Sequence, residues 1–141
     1  MTDLKQVEYY LHEYSLAETR LNSLRGELRN MVQAVEEAEM IIEHIDSEEV
    51  AELLSIKVRR ILDAFLGEID TVTERCEEII EMINSLVDPE MRAVFEFSYY
   101  KQMTFSRIAT ELYISKTKVQ DLHRTGLAII DSQYDITGRR G

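Results

Sequence analysis

The sequence predicts an all-α protein, with a long N-terminal antiparallel helical hairpin (coiled-coil-like) followed by a three-helix helix-turn-helix domain. The 141 residues include only five glycines and one proline. These six residues are about 4% of the chain, whereas glycine and proline together average roughly 12% of residues in proteins. Tight turns are therefore expected to be scarce. Apolar residues recur every three or four positions over most of the chain, which is the helical period. Tryptophan is absent, and the few aromatic residues argue against a sandwich or barrel of short strands.

The charge distribution divides the chain into parts with different roles. The net charge is −11, which by itself argues against nucleic-acid binding. Residues 1–88 carry 8 basic and 21 acidic side chains, whereas residues 89–141 carry 8 basic and 6 acidic ones. The change falls at Val87-Asp88-Pro89, which contains the single proline. The predicted parts are a helical hairpin for oligomerisation at 1–87, a helix-turn-helix at 88–131 and a flexible tail at 132–141.

The first predicted helix spans about 3–45 and carries a heptad-like apolar stripe. Its second half steps regularly through Leu21, Leu24, Leu28, Met31, Val35, Ala38, Ile42 and Ile45. Asp46 is the predicted N-cap of the second helix, with Glu49 at the capping-box position. That helix is expected to reach about Leu86. If it is kinked or broken, the kink or break is expected at Gly67. Its predicted stripe is Val50, Leu54, Val58, Ile61, Phe65, Ile69, Val72, Cys76, Ile79, Ile83 and Leu86.

The second helix carries more apolar surface than a single partner helix can cover. Leu53, Leu62, Leu66 and Ile80 widen its stripe, and folded proteins rarely leave such a surface in water. We therefore expect self-association into a homodimer or a higher oligomer. The alternative is that the C-terminal part of the same chain folds back over this face.

The chain shows no pattern typical of an enzyme. The run Glu48-Glu49-Val50-Ala51-Glu52 resembles the first half of the metal motif of all-α nucleoside-triphosphate pyrophosphohydrolases, but the matching second half is lacking. Runs of glutamate on long helices are usually solvated faces, and Cys76 lies on the apolar stripe. We predict no catalytic residue, cofactor or metal. Without a membrane-length apolar run or a secretory signal, a cytoplasmic protein with no membrane partner is expected.

The C-terminal part has the spacing of a helix-turn-helix. Asp88 and Pro89 predict a capped helix start. Thr104 is the predicted N-cap of the next helix, the pair Tyr113-Ile114 forms the turn, and Ser115 caps the last helix, 116–130. Small residues at Ala109 and Gly126 are expected to allow close helix contacts, while His123 is expected on the surface, where it either contacts phosphate or serves no role.

This segment resembles region four of bacterial sigma factors. The matching positions are Leu86, Arg92, Val94, Tyr99, Ile108, Ala109, Leu112, Ile114, Ser115 and Val119. With its N-terminal helices and length, the chain is similar to small phage-encoded transcription regulators of the RinA and ArpU type. They share a Tyr-Tyr pair before the helix-turn-helix, here Tyr99-Tyr100, and an Ile-Ser pair at its turn, here Ile114-Ser115. The resemblance covers about residues 86–130.

The predicted function is sequence-specific DNA binding by a transcriptional regulator of phage or prophage origin. A recognition helix places its first turns in the major groove, where Lys, Gln and Asp side chains recognise different base edges. Helix N-termini and cationic side chains hold backbone phosphates. The candidate DNA-binding residues are Thr104, Arg107, Ser115, Lys116, Thr117, Lys118, Gln120, Asp121 and Arg124.

Two other functions remain open. The first is a protein-interaction adaptor that binds RNA polymerase or a sigma factor through a mimic of region four, which the weak positive charge of this segment favours. The second is the DNA-recognition subunit of a phage packaging complex, since such subunits also join a helix-turn-helix to oligomerising helices. The predicted partners of the transcriptional regulator are double-stranded DNA and a second copy of the chain.

Overall fold

The computed structural model describes residues 4–134 and contains only helices in that range. The all-α prediction is therefore confirmed. The two long helices are joined by a short turn, and three short helices follow them. The elements are α1 (Leu4–Glu43), α2 (Glu48–Asn84), α3 (Pro89–Phe95), a π-helical turn (Glu96–Tyr100), α4 (Phe105–Leu112) and α5 (Lys116–Gln133). The predicted tail at 132–141 lies largely outside the described residues.

The start of α2 differs from the prediction by one residue. Ser47, rather than Asp46, is the N-cap, because the Ser47 Oγ accepts a hydrogen bond from the Val50 N–H at 3.3 Å. A serine hydroxyl satisfies the free donors of a first helical turn as well as a carboxylate does. The helix also runs without a break through Gly67, whose carbonyl accepts a bond from the Thr71 hydroxyl at 3.0 Å. The predicted break at Gly67 is therefore wrong.

The chain forms two compact units. The hairpin unit is Glu18–Glu74, and the head unit combines the described residues up to Ala17 with those from Arg75 onward. The head unit thus contains the first turns of α1 and the last turns of α2 in addition to α3–α5. The units are divided after Ala17 and after Glu74, whereas the predicted domains are divided between Val87 and Asp88. The assignment of separate functions to the two predicted domains stays a prediction.

In the hairpin unit the two long helices run antiparallel. Arg20 on α1 pairs with Glu68 on α2, with 2.6 Å between Nη2 and Oε1. Both side chains are almost half exposed, so the pair fixes alignment more than it stabilises. The predicted stripe of α1 faces inward throughout, since Leu21 and Leu24 are buried and its later members are half-buried.

On α2 the predicted stripe is wrong in the hairpin unit at three positions. Val50, Leu54 and Ile61 are 46%, 37% and 59% exposed, whereas Val58 and Leu62 are half-buried. The exposed residues Val50, Leu54 and Ile61 thus form one apolar line on α2. Val58 and Leu62 form a neighbouring line, and only this second line is covered by α1. Of the four residues expected to widen the stripe, Leu53 and Leu66 are 55% and 40% exposed. Leu62 and Ile80 are instead half-buried.

The head unit has the larger core. Its buried members come from every helix and include Val7 and Leu11 of α1, Ile79 and Ile83 of α2, and Phe95 of α3, each 0–1% exposed. Cys76 is also buried, as its place on the apolar stripe predicts. No helix in the described part of the chain is long and apolar enough to cross a membrane.

Candidate nucleic-acid interface

The three predicted helix starts of the head unit are confirmed. The Asp88 carboxylate accepts the Glu90 N–H at 3.0 Å, with Pro89 in the first helical position. The Thr104 hydroxyl accepts the Arg107 N–H at 3.2 Å, and the Ser115 hydroxyl accepts the Lys118 N–H at 3.0 Å. Thr104 and Ser115 therefore each satisfy one of the unpaired donors at the start of their own helix.

The turn between α4 and α5 is also formed as predicted. Tyr113 adopts the left-handed conformation, with φ 57° and ψ 43°. The next amide, Ile114 N–H, donates to the Ala109 carbonyl at 3.1 Å, which is the Schellman way of ending a helix. The side chain of Tyr113 is 94% exposed. This turn allows α5 to start in a new direction directly after α4.

All nine predicted DNA-binding residues are exposed. They occupy the start of α4 and the first two and a half turns of α5. On α5 the buried positions are Val119, His123, Gly126, Leu127 and Ile130, with Leu122 half-buried. At about 100° per residue, the side chains opposite this buried line are Thr117, Lys118 and Asp121, with Arg124 beside them. These four therefore share the outward face of α5.

Two of the three cations on α5 have acidic neighbours. Lys118 Nζ lies 3.0 Å from Glu90 Oε1 on α3, and Arg124 Nη1 lies 3.7 Å from Asp121 Oδ1 one turn away. Lys118 and Arg124 are more than half exposed, so both pairs are weak and open to exchange with another anion. The Glu90–Lys118 pair lowers the positive potential of the face. Its partners are 28 positions apart in the sequence, and no local pattern predicts it.

His123 is not a surface residue, so both predicted roles for it are wrong. It is 6% exposed, and its Nε2 lies 2.6 Å from the Tyr99 hydroxyl in a buried hydrogen bond. Its ring stacks on Phe95, with 5.2 Å between centroids, and Phe105 contacts it at 4.9 Å. Burial lowers the pKa of His123, Glu8 opposes that change, and the charge of His12 adds to it. The histidine is thus a core residue that holds α5 against the π-helical turn.

Gly126 makes the close helix contact that we predicted. A Cβ at this position would lie 2.2 Å from Cε1 and 2.5 Å from Cζ of Phe95, far inside the normal carbon contact of about 3.5–4.0 Å. The absence of a side chain at Gly126 therefore allows the Phe95 ring to lie directly against the backbone of α5.

The first turns of α1 also lie beside α5, which the sequence did not indicate. Lys5 and Glu8 line a groove of about 420 Å³ together with Gln120 and Arg124 of α5. Periodicity placed these α1 residues in a hairpin with α2, and no sequence signal connects them with α5. The groove adds one cation and one acid to the surroundings of the candidate interface.

The described residues contain no group of three or more His, Cys, Asp or Glu side chains arranged to hold a metal ion. The glutamate runs considered in the sequence are distributed over exposed helix surface.

Comparison with known proteins gives a single finding. No curated protein matches the chain, and no solved structure matches it. Residues 60–131 match a protein family described as "Protein of unknown function (DUF1492)". The matched region is more than half of the chain and runs from the middle of α2 through nearly all of α5. The chain therefore belongs to the DUF1492 family.

Proposed function

We propose that this protein is a sequence-specific DNA-binding transcriptional regulator that inserts α5 into the major groove. The observation that carries the proposal is the outward face of α5. It combines Thr117, Lys118, Asp121 and Arg124 on the second of two helices joined by a tight turn. A helix placed in this way reaches base edges with its N-terminal residues.

The chemistry of the first turns of α5 fits a duplex with mixed sequence. Lys118 reaches the O6 and N7 acceptors of guanine, Gln120 pairs with adenine, and Asp121 accepts from the amino group of cytosine. Lys116 and Arg107 hold phosphates on either side, where they position the helix without reading sequence. No ion pair involves Lys116 or Arg107 among the described residues, so both are available for phosphate.

The charge of the whole chain supports selectivity rather than tight general binding. Most of the excess acid lies in residues 1–88, and acidic surface repels the DNA backbone over a Debye length of about 10 Å. Binding is then confined to the head unit, and non-specific affinity is low. The resemblance to sigma region four and to the RinA and ArpU regulators supports the same function and a phage or prophage origin.

The test is binding of the full chain to a pool of promoter-sized duplexes, enriched by selection and measured by fluorescence anisotropy at two salt concentrations. We expect a selected motif that binds well above background. Lys118→Glu should weaken that binding about 5- to 150-fold, because a base contact is worth about 1–3 kcal/mol. Arg29→Glu, which makes the same charge change on the exposed surface of α1, should leave it unchanged.

The outcome that contradicts the proposal is equal affinity of the wild type and Lys118→Glu for the selected duplex. Circular dichroism of each variant checks that the helices are retained. Absence of any enriched motif, with only weak and steeply salt-dependent binding, also contradicts sequence-specific recognition.

A second candidate function is an adaptor that binds RNA polymerase or a sigma factor through the head unit. The observation that favours it is the partial neutralisation of α5 by Glu90 and Asp121. An acidic partner of Lys118 suits a protein surface of mixed charge better than a phosphate backbone. Co-purification from a bacterial lysate tests it: the adaptor function requires recovery of a polymerase subunit or sigma factor, and loss of that subunit with Lys118→Glu.

A further inference from the structure

The N-terminal half of α2 carries an exposed apolar pair between two opposite charges. Leu53 and Ile56 are 55% and 42% exposed, and Glu49 and Arg60 are exposed on the same helix. The steps between these four residues are four, three and four. At about 100° per residue they therefore share one narrow line along the helix. Val58 and Leu62, which face α1, lie on the opposite side of α2.

The order of these four residues is self-complementary. From the N-terminus it is acid, apolar, apolar, base, with its midpoint between Leu54 and Ser55. When a second copy of α2 is laid against this face in the antiparallel direction about that midpoint, Glu49 lies opposite the second copy's Arg60. Leu53 lies opposite the second copy's Ile56 in the same arrangement. A two-fold axis repeats each contact, as an isologous interface requires.

The parallel arrangement is disfavoured by the same residues. It would place Glu49 beside a second Glu49 and Arg60 beside a second Arg60, and like charges at a helix interface are repulsive. The pattern thus selects one orientation as well as a second copy. A partner with unrelated sequence would have no reason to match this reversed order.

The charges on this face have no competing ion-pair partner within residues 4–134. Among the described residues, no ion pair involves Glu49 or Arg60. Val50, which is 46% exposed, lies on one flank and extends the apolar surface. Lys57 lies on the same flank, where its methylene groups can cover the second copy's Val50.

We propose that this line, Glu49, Leu53, Ile56 and Arg60 of α2, is the self-association surface of the protein, and that two copies bind through it antiparallel. It gives the expected self-association a specific face and direction. It does not depend on DNA binding, since it lies in the hairpin unit and uses none of the candidate DNA-binding residues.

The test is the oligomeric state of the full chain by sedimentation equilibrium over a range of micromolar concentrations. The wild type should be a dimer. Glu49→Arg and Arg60→Glu should each weaken dimerisation roughly tenfold or more, because each replaces two attractive pairs by two repulsive ones. The double variant Glu49→Arg/Arg60→Glu should restore wild-type dimerisation, since it exchanges the two charges.

Two further measurements sharpen the result. An equimolar mixture of the two single variants should form a heterodimer, because one carries two cations on the line and the other two acids. The double truncation Leu53→Ala/Ile56→Ala should give a monomer with unchanged helix content by circular dichroism. As matched controls, Glu36→Arg and Arg29→Glu change exposed charges on α1 and should leave the dimer intact.

Several outcomes would overturn the proposal. They are a monomeric wild type, a dimer that both single variants leave unchanged, and a double charge exchange that fails to restore association. Persistence of the dimer in Leu53→Ala/Ile56→Ala would place the interface on another face. A closed ring of many subunits would likewise exclude the isologous pairing, because an antiparallel two-fold contact ends with two copies.

Discussion

Substitution of Gly126 by alanine should destabilise the head unit, although alanine is the better helix former. The added Cβ would lie 2.2 Å and 2.5 Å from two carbons of the Phe95 ring. That ring is 0% exposed. It lies between Tyr99, with 5.6 Å between centroids, and His123, at 5.2 Å. Because both neighbours are themselves buried, Phe95 has no space into which it can move.

The net change in the free energy of unfolding follows from two opposing terms. Replacing an interior helical glycine by alanine stabilises a helix by about 1 kcal/mol. Over-packing a tight core costs about 1–3 kcal/mol, and the upper end applies here because the clash involves a ring without freedom to shift. We therefore expect Gly126→Ala to lower the free energy of unfolding by about 2 kcal/mol.

Two other glycines of the long helices provide matched controls. A Cβ at Gly26 or at Gly67 would meet nothing within 4 Å. Gly26→Ala and Gly67→Ala should therefore each stabilise the protein by about 1 kcal/mol. Urea unfolding, followed by circular dichroism and by tyrosine fluorescence, measures all three variants. Equal stability of Gly126→Ala and the wild type would contradict the close contact with Phe95, as would a change in the same direction as in the controls.

Three further predictions concern the head unit. Glu90→Gln should raise affinity for the selected DNA about two- to fivefold, because it releases Lys118 from its ion pair; an equal gain with Glu36→Gln would show a non-specific charge effect instead. Burial holds the pKa of His123 in the folded state below its unfolded value of about 6.5, so its contribution to stability is complete above that value and is lost as the pH falls from there through the folded pKa. The urea midpoint measured from pH 8 to 5 should fall more in the wild type than in His123→Gln, and parallel curves would contradict this assignment. Tyr113→Gly should raise the thermal midpoint, because it relieves a left-handed backbone costing about 1 kcal/mol, whereas Tyr113→Ala, with the same strain, should not.

Local signals predicted the elements of the head unit well. At the three caps, the side chains of Asp88, Thr104 and Ser115 accept hydrogen bonds from backbone N–H groups only two or three residues further along the chain. Such interactions are visible in sequence because they are set by local geometry. The same reason explains the turn at Tyr113 and the exposure of the candidate residues on α5, which follow from the period of the buried positions.

Non-local contacts could not be predicted in the same way. A helical histidine between a leucine and an arginine, as at His123, has the same appearance in the sequence whether it is exposed or buried. The burial of His123 depends on Phe95 of α3 and Tyr99 of the π-helical turn. The pair of Glu90 with Lys118 likewise depends on how α3 crosses α5. On α2, helical period alone did not decide which of two adjacent apolar lines would face α1.

The head unit depends on the ends of the two long helices for its core, and these ends help to hold α5 in position. Val7 and Leu11 of α1, together with Ile79 and Ile83 of α2, are almost fully buried in the same cluster as the residues of α3–α5. Burying each such side chain contributes about 1.5–3 kcal/mol, or about 6–12 kcal/mol for the four. That sum is comparable with the whole free energy of unfolding of a typical domain, about 5–15 kcal/mol. A segment that begins at Asp88 has the sequence of a helix-turn-helix but lacks these four side chains. The outward face of α5 is therefore held in place by the ends of α1 and α2 as well as by its own three-helix segment.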